Sequence, residues 1–282
     1  MSLQTVILAA GNGTRSRSCT ETVPKPMLRV GSDLYQEALL RKNKQEQERV
    51  ISEYNTKQKG KPILQFILEE LDSLGLRDVT IVIGYLGDRI EGYFGKKFGN
   101  LNIEYVAQKE QKGTAHALLQ AESSIKDSKD RILCLMGDSI YPIESIKECL
   151  KYPYSILAQE VEDPKEFGIL SINKGHVKEI TEKSEKFISN LANTGLYVLP
   201  NDIFPILTTL KENLKRKELE LTDAVNILIH KLAKKRVALQ CVKARENSCI
   251  FVSRCLDLLY ASRKLAQESH KIKDHIESYK WD

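Results

Sequence analysis

Apolar runs closed by turn residues alternate with stretches of helical spacing along the first half of the chain. Residues 5–10 (TVILAA) are short and apolar throughout, which predicts a buried strand. Over residues 62–74, Ile63, Phe66, Ile67, Leu71 and Leu74 recur at helical spacing, and Gly75 follows as a stop. Residues 79–83 predict the next strand and 88–94 a helix opened by Asp88, an N-cap type. A strand at 103–106, a helix at 114–123 and a buried strand at 131–136 follow, the last running into Gly137-Asp138. Strands apolar on both faces in β-α-β-α-β order predict an α/β fold with a mostly parallel sheet covered by helices on both faces.

The second half reads differently. Residues 154–159, 168–172, 176–180 and 195–199 are strand-like with fewer helices between them, and 173–175 is a hairpin-type turn. Helices return at 222–232 and 254–266. This half is expected to be more antiparallel. Residues 32–60 are dominated by charged and amide side chains, with apolar residues only near the ends. They predict a solvent-exposed helix or helical hairpin, or a partly disordered loop. Residues 211–220 predict a solvated, charged helix end or loop.

Composition narrows the class. In 282 residues with 41% hydrophobic side chains, a sizeable core can be buried. No apolar stretch reaches membrane-spanning length, and the N-terminus lacks the basic start of a secretory signal, so a soluble, cytoplasmic chain with no membrane partner is expected. The net charge of +5 comes from 43 basic and 38 acidic residues, a mixed surface that does not argue for nucleic acid. The six cysteines show no C-x-x-C pair and no zinc spacing, and reduced structural thiols are expected.

Candidate chemistry starts where the first strand ends. Leu8, Ala9, Ala10, Gly11, Asn12, Gly13, Thr14 and Arg15 form a glycine-rich loop. Glycines let a phosphate approach the main-chain N–H groups, Arg15 adds a forked cation, and the small Ala9 and Ala10 leave room for a base or ribose. A tight turn without a ligand would use the same residues. The dinucleotide fingerprint fails because Ser16 stands where a third glycine is needed, and no Gly-Lys-Ser/Thr follows to make a P-loop. Next comes Pro24-Lys25-Pro26-Met27-Leu28, whose prolines are expected to hold Lys25 in a stiff, extended segment at small entropic cost.

These motifs, followed by Gly60-Lys61-Pro62-Ile63-Leu64, resemble the signature of the sugar-1-phosphate nucleotidylyltransferase family. The resemblance continues in order along most of the chain. It implies a Rossmann-like fold of the glycosyltransferase-A type, and one nucleotidylyltransferase domain over residues 1–282. Residues 1–150 would be the nucleotide-binding half, carrying 32–60 as an insertion, and 151–282 the sugar-phosphate-binding half. The segment from Gln108 through Gly113, Thr114 and His116 is similar to the family's base-recognition loop, with Gln108 and the Gly113 backbone reading a pyrimidine edge. Gly137-Asp138 is similar to the strand-end acid that holds Mg²⁺. Phe167-Gly168 and Glu182-Lys183 resemble sugar and sugar-phosphate contacts, and Asn193-Thr194-Gly195 the loop closing over the sugar.

The implied reaction joins an NTP, with UTP as first choice, to a hexose 1-phosphate. Its nucleophile is already anionic, so cations and positioning carry the chemistry. Arg15 and Lys25 would neutralise the triphosphate, Lys183 would hold the sugar phosphate, and Asp138 the Mg²⁺. His116 is expected to pack or cap, since no imidazole is needed. Three departures stand out. Phe251 occupies the register of a second metal acid, leaving Glu246 or Asp223 as substitutes, or else a nucleotide-sugar-binding regulatory subunit with weakened catalysis. The insertion separates two motifs that are nearly contiguous in the family and could form a lid, an oligomer contact or a passive excursion, which leaves a homo-oligomer open. No hexapeptide repeat is present, so a fused acetyltransferase is not expected.

Overall fold

A computed structural model describes residues 3–125, 131–213 and 217–278, with side chains as far as residue 267. Fourteen strands form in chain order among the described residues. They are β1 (Leu3–Ala9), β2 (Arg29–Val30), β3 (Lys61–Pro62), β4 (Asp78–Ile83), β5 (Lys97–Phe98), β6 (Leu101–Ala107), β7 (Arg131–Met136), β8 (Ser139–Ile140), β9 (Ser155–Glu160), β10 (Gly168–Asn173), β11 (His176–Glu182), β12 (Leu191–Pro200), β13 (Gln240–Lys243) and β14 (Ile250–Phe251). Ten of them make one sheet in the order β10-β11-β13-β9-β12-β7-β1-β4-β6-β5. The run β7-β1-β4-β6 is parallel throughout. Beyond β7 the pairings are antiparallel except β9 with β13. A parallel first half and a more antiparallel second half thus share one sheet of Rossmann-like type.

Period-two alternation splits each central strand between two cores. Val6 and Leu8 of β1, with Cys134 of β7 and Tyr197 of β12, face the helices Thr114–Gln120, Ile203–Thr209 and Leu221–Lys234. Ile7 and Ala9, with Leu133, Leu135 and Val198, face Ile63–Ser73, Gly87–Phe94 and Ile143–Leu150. Both strand faces are buried, which is why these segments read as unbroken apolar runs. Asp88 sits in the first turn of its helix and not at the cap, which is Leu86 in a left-handed conformation (φ 51°). The predicted hairpin turn forms between β10 and β11, with Lys174 at φ 50° and Gly175 at φ 79°. Among the described residues, no helix is long and apolar enough to cross a membrane.

The insertion at 32–60 is not a loop and is only partly solvated. It folds into two helices, Ser32–Leu39 and Lys44–Thr56. The second is capped reciprocally: Glu46 N donates to Asn43 Oδ1 at 3.0 Å, and the Glu46 carboxylate accepts from Lys42 N at 3.2 Å. Leu34, Ala38, Val50, Ile51 and Tyr54 lie in a third core with Leu258 and Ala261 of the helix Asp257–Ser278. Tyr54 donates its hydroxyl to Asp33 Oδ1 at 2.6 Å, tying the two insertion helices together. The few apolar residues of a mostly polar stretch were enough because their spacing puts them on one face.

The expectation of six reduced cysteines is corrected for one pair. Cys19 and Cys255, 236 positions apart, are joined as a disulfide. Sequence spacing could not show this, because folding brings the two residues together across the third core. Cys134, Cys149, Cys241 and Cys249 are free and buried. Burial pushes the Cys134, Cys149 and Cys249 thiols up to about 12 and Cys241 up to about 11. Thiolate, the reactive form, is scarce at such values. Iodoacetamide at pH 8 should therefore label none of the six cysteines in the native protein. Denaturant alone should expose four and denaturant with a reductant six, counted by intact mass.

Candidate active site

The carboxyl ends of β1 and β7 lie side by side, where open α/β sheets place their ligands. The Gly137 amide donates to Leu8 O at 2.9 Å, and a side chain at Gly137 would come within 3.1 Å of the Ala9 methyl. Small residues are therefore needed on both strands to bring their ends together. Beyond β1, Gly13 takes φ +61° and packs against Thr20, whose hydroxyl donates to Gly13 O at 3.0 Å. That turn leads into a short 3-10 turn carrying Arg15.

Lys25 reaches the same place from a different segment. It does not lie in an extended stretch, as the flanking prolines suggested. Lys25–Met27 is a 3-10 turn with a proline in its first positions, closed by Met27 N donating to Pro24 O at 2.8 Å. Only Pro24 and Leu28, at its two ends, are extended. The stiffness survives the correction, and Lys25 Nζ donates to Asp138 Oδ2 at 2.5 Å. The lysine side chain is 10% exposed and the aspartate 35%, so the pair sits at the mouth of a wet cleft and not deep in the core.

The opposite wall is the loop from 108 to 114. Gln108 is buried, and its Nε2 donates to Gly113 O at 3.0 Å and lies 3.0 Å from His116 Nδ1. His116 thus supports the Gln108 amide through a ring nitrogen. Gly113 at φ +105° lies so close to the Leu219 backbone that an added side chain would collide with it. Leu219 N donates to Lys112 O at 2.7 Å, Ala115 N to Leu219 O at 2.9 Å, and Leu221 N to Thr114 Oγ1 at 2.9 Å. The charged run at 211–220 was expected to be merely solvated. Instead its end clamps the loop, and Glu218 joins the wall of the cleft.

The resulting cavity measures about 320 Å³. Leu8, Ala9, Ala10, Gly11, Gly13, Arg15, Lys25, Gln108, Gly113, Thr114 and Asp138 all line it. Met136, Gln111, Glu218 and Ser253 also line it and were not anticipated. Gln111 lies inside a motif already singled out. Ser253 gives no local signal, since it arrives by tertiary pairing, with its carbonyl accepting from Ser16 Oγ at 2.8 Å.

Gly168, Glu182, Lys183 and Asn193 are not on this wall. They form a neighbouring group across the antiparallel strands. Gly168 is paired with Glu182, and a side chain there would meet the Glu182 carboxylate. Asn193 donates from Nδ2 to the Tyr197 hydroxyl at 2.6 Å and accepts from Gly195 N at 3.1 Å. Burial is the main cause lifting the Tyr197 phenol above its usual range, and the Glu182 charge adds to it. Tyr141 joins the two groups, accepting from Met136 N at 3.3 Å and donating to Thr194 O at 3.0 Å. Its phenol is raised well above the ordinary value by burial first and by Asp138 next.

Asp138 is the carboxylate aimed at a metal by the sequence, and Glu218 is the other acid on the cavity wall. Phe251 pairs with Ser139, and Val252 N donates to Asp138 O at 3.3 Å, so Phe251 stands one pairing step from the aspartate. Glu246 is exposed and Asp223 lies in the first turn of a helix; neither lines the cavity. Among the described residues, no group of three or more His, Cys, Asp or Glu could hold a metal ion.

A family described as nucleotidyl transferase matches residues 55–245. The bifunctional protein GlmU of Methanococcus maripaludis is 34% identical over 230 residues, covering 80% of this chain and 47% of the relative. The chain therefore spans about half the length of such relatives. A protein of Haloferax volcanii named UTP–glucose-1-phosphate uridylyltransferase AglF is 30% identical over 236 residues, covering 80% of this chain and 84% of that one. A solved UDP-glucose pyrophosphorylase with UDP-glucose shares the fold at a TM-score of 0.72 and 24% identity, covering 95% of this chain and all of the other. The glycine loop and the strand-end aspartate meet on one cavity, the match spans residues 55–245 and the relatives align over four-fifths of the sequence: the chain belongs to the nucleotidyl transferase family.

Proposed function

We propose that this chain transfers a nucleotidyl group from a nucleoside triphosphate, UTP by first choice, to a hexose 1-phosphate, releasing pyrophosphate. One observation carries the reading: the glycine loop, Arg15, Lys25 and Asp138 converge on a single cavity whose far wall is the 108–114 loop. A sugar-phosphate oxygen attacks the α-phosphorus and forms a new P–O bond. The bond to the β-phosphate breaks, and pyrophosphate leaves with the electron pair. No general base is needed; two anions must be held together while charge builds on the leaving group. Gly11 and Gly13 admit phosphate oxygens to the main chain, and Arg15 and Lys25 supply positive charge. Lys183 would receive the sugar phosphate, with Gly168, Glu182 and Asn193 around the sugar. In this reading residues 1–150 serve the nucleotide and 151–282 the sugar phosphate.

A cavity with one or two carboxylates suits Mg²⁺, which completes its shell with substrate phosphates and water. Asp138 would hold it, and when bound it would supply charge neutralisation on the phosphates. For the base, the Gln108 amide nitrogen donates to Gly113 O in the loop and faces His116 Nδ1 on the helix that follows. That leaves Oε1 to accept an imide N–H, which uracil and thymine carry and cytosine lacks. A panel of triphosphates against several hexose 1-phosphates, followed by pyrophosphate release, tests this. UTP and dTTP should outperform CTP by about 10²-fold or more, as expected when a buried acceptor loses its donor. Equal use of CTP would remove the role given to Gln108.

A second reading rests on Phe251, which cannot ligate a metal. There the chain is a regulatory subunit that binds nucleotide sugars with weakened catalysis. Pyrophosphate release with no pair, alongside measurable UDP-glucose binding, would favour it over the first.

A further inference from the structure

Phe251 stands one pairing step from the strand-end acid and does not line the cavity. Its ring meets the Phe167 ring edge-on, with centroids 5.5 Å apart and planes at 60°. Both residues are half-buried. Phe167 in turn accepts, through its carbonyl, the Lys183 amide at 3.0 Å. Lys183 sits at φ +44°, a left-handed conformation uncommon for a residue with a side chain. The contact on its own amide is the bond to Phe167. A second link runs the same way: Arg254 Nη2, three residues after Phe251, lies 3.9 Å from Oε1 of Glu166, the residue before Phe167.

The contacts form one line. Asp138 is bonded through its carbonyl to Val252. The neighbouring Phe251 presses on Phe167, and Phe167 fixes the turn that presents Lys183. We propose that Phe251 is a positioning residue, bracing the Phe167–Lys183 turn against the Asp138 segment so that the sugar-phosphate end of the site is held in register with the nucleotide end. The aromatic ring thus supplies a mechanical tie between two halves of the site. The inference rests on the proposed nucleotidyl transfer for its ligands, but the tie itself is a property of the chain.

Two measurements test it. Hydrogen exchange at the Lys183 amide should quicken by about threefold to tenfold in Phe251→Ala, the worth of one edge-on aromatic pair, and should return to the native rate in Phe251→Tyr. Calorimetry should show UDP-glucose weakened by a similar factor in Phe251→Ala, with UTP alone changed by less than about twofold, because the ring does not line the nucleotide cavity. Phe167→Ala should reproduce both effects, and the double variant should add little to either single one. Should Phe251→Ala fail to fold, Phe251→Leu tests the same tie with the core volume kept. Unchanged exchange at Lys183 overturns the inference whether or not any ligand binds. UTP and UDP-glucose weakened alike would make the ring ordinary packing and overturn it too. If the unaltered protein binds neither ligand while the exchange result holds, it is the proposed function that fails and not the tie.

Discussion

Asp138→Asn should lower kcat by about 10²- to 10³-fold, the range seen when one preorganised charge is taken from a developing transition state. The argument depends on what asparagine keeps. Its amide oxygen can still accept from Lys25 Nζ, the bond now made at 2.5 Å. The Gly137 turn and the backbone bond from Val252 are untouched. Because the aspartate is 35% exposed, loss of the ion pair is screened by water and should cost no more than about 1 kcal/mol. For a chain of this size that is a fall in Tm of about 2–4 °C. Binding should change in the other direction. With its partner neutral, Lys25 is freed for the triphosphate, so metal-free UTP should bind the variant at least as tightly as the native protein. Calorimetry without divalent cations, set beside turnover with Mg²⁺, separates the two effects. Near-normal kcat would remove Asp138 from the chemistry, and a drop of ten degrees in Tm would make it a structural residue.

The site was legible in the sequence to the extent that it is built from contiguous segments. The turn after the first strand, the lysine between two prolines, the 108–114 loop and the acid closing β7 each announce themselves by local composition, and the cavity gathers all of them. Glycine signals were informative where the backbone demands them, as at Gly13 and Gly113 with positive φ. What could not be read is what tertiary pairing alone creates. Ser253 enters the wall because β14 pairs with β8, and Glu218 because Leu219 pairs with Lys112. A two-residue strand has too little pattern to be seen, and a charged run looks the same whether it is solvated or clamps a loop. The helix Ile143–Leu150 went unpredicted because Pro142 opens it directly after a strand-like stretch. The expected helical hairpin forms in the insertion, but its degree of exposure was misjudged for a related reason. Overall polarity says how much of it meets water, whereas the spacing of Leu34, Ala38, Val50, Ile51 and Tyr54 says what it packs on.

Lys25→Ala should damage the reaction differently and in binding as well as rate. The lysine is 90% covered, anchored by a proline-flanked turn, and points at the one carboxylate among the cavity residues that the β7 strand end provides. Its removal does two things to an incoming triphosphate. A cation is lost, and the Asp138 charge is left bare in front of the phosphates. Like charges a few ångströms apart at a partly hydrated site repel by a few kcal/mol at about 4 Å. Metal-free UTP should therefore bind about 10-fold more weakly or worse, the opposite sign to Asp138→Asn, and kcat/KM should fall by about 10³-fold or more. The double variant decides between shared and separate action. If the lysine's value for binding lies partly in masking the aspartate, neutralising both should restore some metal-free UTP affinity lost in Lys25→Ala alone, a departure from additivity expected of residues in direct contact. Strict additivity in UTP affinity would mean that the ion pair across 113 residues is incidental to how the nucleotide is received.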